Sequence, residues 1–327
     1  MRNIWKDGIF GVVVGDALGC PVQFESREKV ATHPVTGMRG YGSFNLPAGS
    51  WTDDSSLTLA LLSSIADTGI MNLKHIMDNF VEWLEHGAFT PYGYSYDIGF
   101  GTESAINTYE RSGDLLTCGG TSEQNNGNGS LMRIMPACLY CCAQGMNEEE
   151  AIKAIHAVGS LTHGHIRANI ACGLYYFMTD AVLNGKGSLI QRLQKGLDAS
   201  FEYYEKVQTD PDELKYYNRL RNLKVFRKTP AEEVQGSGYV VETLEAAVWT
   251  LITTESFKEA LLQVVNLGRD TDTTGAIAGG LAALYYGYDA IPEDWINEIK
   301  KKEWIEELCE KADRALMPKD CRISRLK

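Results

Sequence analysis

From residue 54 to residue 311 the apolar residues of this chain recur at helical spacing in one segment after another. That periodicity constrains the fold more than any other feature. Leu57, Leu61, Leu62 and Ile65 share one face of a helix predicted over 54–66, and Ile76, Met77, Phe80 and Leu84 share one over 72–86. Further helices are expected over 130–144, 148–159, 166–183, 188–206, 240–253, 256–267, 273–286 and 293–311. Strand signals are scarce, and the glycines gather between the helices, at 37–49, 93–101, 113–129 and 236–238. No repeat or low-complexity linker is visible, and the polar stretch 207–235 is the one candidate insertion or boundary. A length of 327 residues allows one large domain or two ordinary ones. The reading is all-α, a single domain over 1–327 with its site in the Gly-rich loops.

A net charge of −12 and a pI near 5.1 argue against non-specific nucleic-acid binding, which needs clustered Lys and Arg. A local anion site built from backbone N–H groups or a metal stays open. The first residues read as no signal peptide, and no run is long and apolar enough to span a bilayer. The eight cysteines are irregularly spaced. Cys138, Cys141 and Cys142 contain a C-x-x-C, but no second pair or nearby histidine completes a zinc site, so they read as small buried hydrophobes. The expected compartment is the cytoplasm.

"GSWTDDSSLTLALL", residues 49–62, sets Thr52, Asp53 and Asp54 before an apolar helix, and "GRDTDTTGAIAGG", 268–280, does the same with Asp270, Asp272 and Thr273. One such side chain suffices to cap a helix. Additional carboxylates side by side repel one another unless a cation compensates. Four carboxylates and two hydroxyls suit hard divalent cations such as Mg²⁺ or Mn²⁺, and two metals close together can activate one water. A competing motif, D-x-D-x-T at Asp270, Asp272 and Thr274, belongs to haloacid-dehalogenase-like phosphatases. That fold needs βα alternation, and none surrounds these residues.

Three loops complete the candidate site. "NNGNGSLMRIMP", 125–136, lets the backbone approach a ligand closely and opens into a helix start that favours phosphate, with Arg133 facing either ligand or solvent. "LTHGHIRA", 161–168, holds His163 and His165, for which hydrogen bonding is preferred to metal ligation in the absence of a third soft ligand. "GSGYVVETLEAAVW", 236–249, sets Tyr239 where it could stack on a base or join the core.

Together with "GVVVGDALGCPVQFESR" at 11–27 and "YDIGFGTESAI" at 96–106, these stretches resemble, in order and over nearly the whole chain, the ADP-ribosylglycohydrolase family. The resemblance implies a compact orthogonal all-α domain, two divalent cations (Mg²⁺ or Mn²⁺), and hydrolysis of the ribose C1″ bond of ADP-ribose attached to a protein, arginine favoured, or to a small group. It implies Thr52, Asp53, Asp54, Asp270, Asp272 and Thr273 as metal ligands. Gly127, Asn128, Gly129 and Ser130 would bind the diphosphate, with His163 a further substrate contact. Tyr239 would lie near the adenosine and Asp97 near the leaving group. Asp54, Asp270 and Asp272 would be catalytic, with Gln23 and Glu25. At Gln23 the family usually has a glutamate; a neutral amide cannot act as a base, and Glu25 could substitute if the segment is extended. The departure supports an alternative reading, an ADP-ribose binder with weak or no turnover.

Overall fold

The computed structural model describes residues 2–316; Met1 and 317–327, Cys321 among them, lie outside that range. Sixteen α-helices follow one another among the described residues. They are α1 (Ile4–Gly19), α2 (Arg27–Thr32), α3 (Asp53–Thr68), α4 (Leu73–His86), α5 (Phe100–Ser112), α6 (Met135–Gln144), α7 (Glu148–Ser160) and α8 (Ile166–Asn184), then α9 (Leu189–Lys206), α10 (Pro211–Lys215), α11 (Leu223–Phe226), α12 (Val240–Thr253), α13 (Phe257–Val265), α14 (Thr271–Tyr286), α15 (Glu293–Glu298) and α16 (Lys302–Leu316). The chain is an all-α, single helical domain. Among the described residues the only β pairing is two isolated bridges, Gly120 with His163 and Gly127 with Tyr239.

The innermost layer is α1 against α14, the most extensive helix contact among the described residues. Both are apolar nearly all round, as helices buried on every side are. Their axes approach so closely because glycines face backbone. A Cβ on Gly11 would collide with the carbonyl oxygen of Gly279, one on Gly15 with that of Gly275, and one on Gly19 with that of Thr271. Around this pair the outer helices bury single stripes: α9 through Leu193, Leu197, Phe201 and Tyr204, α16 through Ile305, Leu308, Cys309 and Ala312.

Helix existence agrees with the periodicity, while several boundaries differ. The helix expected from 130 starts at Met135, because Pro136 lacks an N–H and fits only a first turn. The span 293–311 divides at 299–301, where Lys301 is left-handed (φ 53°) and the Lys300 N–H bonds to Gly49 O at 3.1 Å. Periodicity missed α1, whose four glycines disguise a helix, and α5, in a glycine-rich region. The stretch 207–235 is no boundary: Leu214, Tyr217, Leu220, Leu223, Phe226 and Val234 pack into the common core. The seven described cysteines are free thiols, six of them buried. No described helix is long and apolar enough to cross a membrane.

In an exposed helix Gly→Ala gains up to about 1 kcal/mol. Gly15→Ala should instead cost about 1–3 kcal/mol, since the added methyl has only backbone to displace. Urea denaturation checks the sign; a midpoint at or above wild type would contradict the close-packing account.

Candidate active site

No side chain of Thr52, Asp53 or Asp54 caps α3. The cap comes from Asp16, on α1 and fully buried. Its carboxylate accepts from the Thr52 N–H (3.0 Å to each oxygen), the Ser55 N–H (3.0 Å) and the hydroxyls of Ser55 (2.5 Å) and Thr52 (3.1 Å). Burial pushes Asp16 up to about 7, against these bonds, which favour its ionised form. The start of α14 is likewise uncapped by Asp270. The Asp270 carboxylate accepts from Asn128 Nδ2 at 2.6 Å, and Thr271 Oγ1 donates to Gly19 O at 2.8 Å. Both helix starts therefore keep their acids free of capping.

Those acids meet. Thr52 Oγ1 lies 3.3 Å from Asp54 Oδ2 and 3.4 Å from Asp272 Oδ2, and Thr273 Oγ1 lies 3.3 Å from Asp54 Oδ2. Asp53, Asp54 and Asp272 are buried, and burial raises each well above the usual carboxylate range. The charges that raise them further are other carboxylates, Asp97, Asp16 and Asp270 among them. Asp54 Oδ1 and Asp272 Oδ1 are buried with no hydrogen-bond partner among the described residues. Orphaned acceptors beside mutually repelling carboxylates fit divalent cations, whose hard-ion ligands are carboxylate and hydroxyl oxygens. A second cluster, Glu123, His165 and Glu213, also brings three ligand atoms together. There the Arg167 guanidinium already bonds both acids, at 2.7 Å to Glu123 and 2.9 Å to Glu213, and offsets one of their two charges.

The acids floor a cavity of about 670 Å³, within the ~300–1,000 Å³ usual for small-molecule sites. Gln23, Glu25, Asp53, Asp54, Asp97, Gly127, Asn128, Gly129, His163, Asp270 and Thr273 line it; Thr52 and Asp272 lie behind that surface. Gln23 turns inward, its Nε2 donating to Asp97 Oδ2 at 2.8 Å. The 23–25 segment is not extended, because Phe24 is left-handed (φ 67°), pinned by its N–H to Arg269 O at 2.6 Å. The geometric condition for Glu25 to substitute therefore fails, and Glu25 pairs with Lys29 at 2.9 Å on the cavity rim.

The Gly-rich loop forms the facing wall. It is held to the 236–239 loop by Asn128 N–H to Gly238 O (3.1 Å) and Val240 N–H to Asn126 O (3.0 Å). Ser130 is fully buried beneath it. Tyr239 lines an adjoining depression of about 500 Å³ that shares Gly127 and Gly238 with the main cavity. Its hydroxyl is 3.2 Å from Arg167 Nη1. His165 caps α8, accepting from the Arg167 N–H at 3.2 Å. Arg133 faces neither ligand nor solvent and is fully buried. Sequence reasoning missed Asp16 and Arg167. Asp16 did carry a signal, a lone carboxylate inside an apolar run; Arg167 did not, because its partners lie 44 and 46 residues away.

Comparison with known proteins agrees with this geometry. Residues 3–321 match the family model described as ADP-ribosylglycohydrolase. An ADP-ribosylarginine hydrolase, Tri1, of Serratia proteamaculans is 28% identical over 93% of this chain and 77% of its own. The ADP-ribosyl-dinitrogen reductase glycohydrolase of Rhodospirillum rubrum is 30% identical over 89% and 88%. A solved structure described as an ADP-ribosylglycohydrolase-related protein complex superposes with a TM-score of 0.74 at 30% identity, over 96% of this chain and 98% of that one. The phosphatase reading of Asp270, Asp272 and Thr274 finds no sheet among the described residues.

The raised carboxylates set a sign. An acid whose folded pKa is raised binds its proton more tightly in the folded state, so metal-free stability should fall as pH rises above about 4, the Asp16 share of the loss ending near pH 7. Asp272→Asn should raise the melting temperature of chelator-treated protein at pH 8, where ~1 kcal/mol corresponds to about 2 °C, and should blunt the stabilisation given by Mn²⁺. Thermal melts at pH 5 and pH 8, with and without chelator, check both effects.

Proposed function

The chain belongs to the ADP-ribosylglycohydrolase family and is an ADP-ribosyl hydrolase; from that premise we propose that it cleaves the ribose C1″ bond of ADP-ribosylated protein, arginine-linked, with divalent cations held by Thr52, Asp53, Asp54, Asp270, Asp272 and Thr273. The observation that carries the reading is the meeting, at the floor of one cavity, of two acidic helix starts whose own acids do not cap them. The Gly127–Ser130 loop opposite suits a diphosphate, and the depression at Tyr239 suits the adenosine end. Bound divalent cations, Mg²⁺ or Mn²⁺, supply charge compensation and Lewis acidity.

The chain's own residues supply the rest. Asp97, raised by burial and held by Gln23, stands ready to manage the leaving group's proton. Asp54, Asp270 and Asp272 concentrate negative charge where positive charge develops at C1″. In this arrangement Gln23 orients Asp97, a task an amide performs without acting as a base. The binder-without-turnover alternative is not favoured, since the named relatives are hydrolases.

A panel of arginine-, serine- and acetyl-linked ADP-ribose tests the reading. Release from arginine-linked protein should be fastest and should stop with chelator, while no release from any member of the panel would refute it. Asp97→Asn and Asp53→Asn should each lower kcat at least about 100-fold, the scale on which one group of a preorganised polar site acts. Tyr239→Ala should weaken ADP-ribose binding by ~1–3 kcal/mol if the ring stacks on the base, and calorimetry reads this directly.

A further inference from the structure

Arg133 is fully buried, and no carboxylate among the described residues answers its charge. Its guanidinium lies 4.7 Å over the Phe80 ring, and its Nε and Nη1 have no hydrogen-bond partner among the described residues. Its Nη2 donates to Val158 O at 3.2 Å and to Thr162 Oγ1 at 2.8 Å. A guanidinium has donors only, so Thr162 Oγ1 must accept from it. The hydroxyl hydrogen of Thr162 is then free to donate, and the remaining partner of that hydroxyl is His163 Nδ1, at 2.9 Å. An Nδ1 that accepts leaves the hydrogen of a neutral imidazole on Nε2.

That Nε2 stands where two cavity-lining segments converge. A Cβ built on Gly129, Gly101 or Gly127 would lie 3.1, 3.2 or 3.5 Å from it. Gly101 sits in the first turn of α5, whose backbone N–H groups lack helical partners, and Gly127 and Gly129 belong to the Gly-rich loop. Burial and the Arg133 charge push His163 down to about 3, so the ring stays neutral across the working range.

We propose that Arg133 and Thr162 are positioning residues that lock His163 as a neutral imidazole with its one N–H on Nε2, donating to a phosphate oxygen of the bound ligand. The ligand half of this proposal rests on the ADP-ribosyl reading; the relay itself does not. A directed neutral donor suits this site, because an imidazole free to exchange tautomers would present an acceptor to the phosphate for part of the time.

Nitrogen-15 NMR of histidine-labelled full-length protein tests the relay without substrate, with His163→Gln identifying the His163 signals among the six histidines. Wild type should show the Nε2–H tautomer, unchanged between pH 5.5 and pH 8. Thr162→Val, close in shape but unable to relay, should lose the fixed tautomer and raise the ADP-ribose Kd about tenfold, the scale of one hydrogen bond to a charged group. Thr162→Ser should restore both. An Nδ1–H or doubly protonated ring in wild type overturns the proposal, and so does a Thr162→Val protein with tautomer and affinity unchanged. That wild-type outcome also decides the matter if Thr162→Val fails to fold. Failure of wild type to bind ADP-ribose at all would overturn the ligand half and the functional reading together, while the tautomer would still decide the relay.

Discussion

Between α1 and α14 the carbonyl oxygens of Gly11, Gly15, Gly275 and Gly279 stand where side chains would otherwise be, so the two backbones touch. The acidic floor of the site follows from that approach. Asp16 comes directly after Gly15 and is carried to the start of α3, where it caps a helix 36 residues away in sequence. Thr271, against Gly19 on the same seam, anchors the start of α14 beside it. Three helix ends are thus set by one glycine contact, and the acids on two of them have no choice but to share a floor.

The arrangement concentrates negative charge in a buried place. A cap from a neighbouring helix is what makes this possible, because it satisfies the first N–H groups of α3 and leaves Thr52, Asp53 and Asp54 to face inward. The metal-free protein holds those carboxylates at a cost that cations would relieve. Arg133 is the positive counterpart, a buried guanidinium whose donors act through Thr162 rather than on a carboxylate. In both places the fold uses a buried charge to orient neighbouring groups. One arranges carboxylate and hydroxyl oxygens, and the other directs a single N–H.

Much of this was legible in the residues. The 3.6-residue apolar period identified most of the long helices, and the doubled acid clusters at Thr52–Asp54 and Asp270–Thr273 marked a candidate site, because capping requires only one side chain at each start. Periodicity failed at α1, where glycines that lower helix propensity are required by the partner backbone. It also failed at Glu25, since alternation along an extended segment does not apply when Phe24 turns left-handed.

By itself, then, the sequence determined which chemistry was available: carboxylates and hydroxyls at two helix starts, a Gly-rich loop, an amide at Gln23. Tertiary structure alone decided which groups act on one another. Asp16 on Thr52, Gln23 on Asp97 and Arg133 on Thr162 span 36, 74 and 29 residues. The physical reason is that local propensity is read from neighbours along the chain. Hydrogen bonds and charges act over a few ångströms of space, and only packing sets those distances.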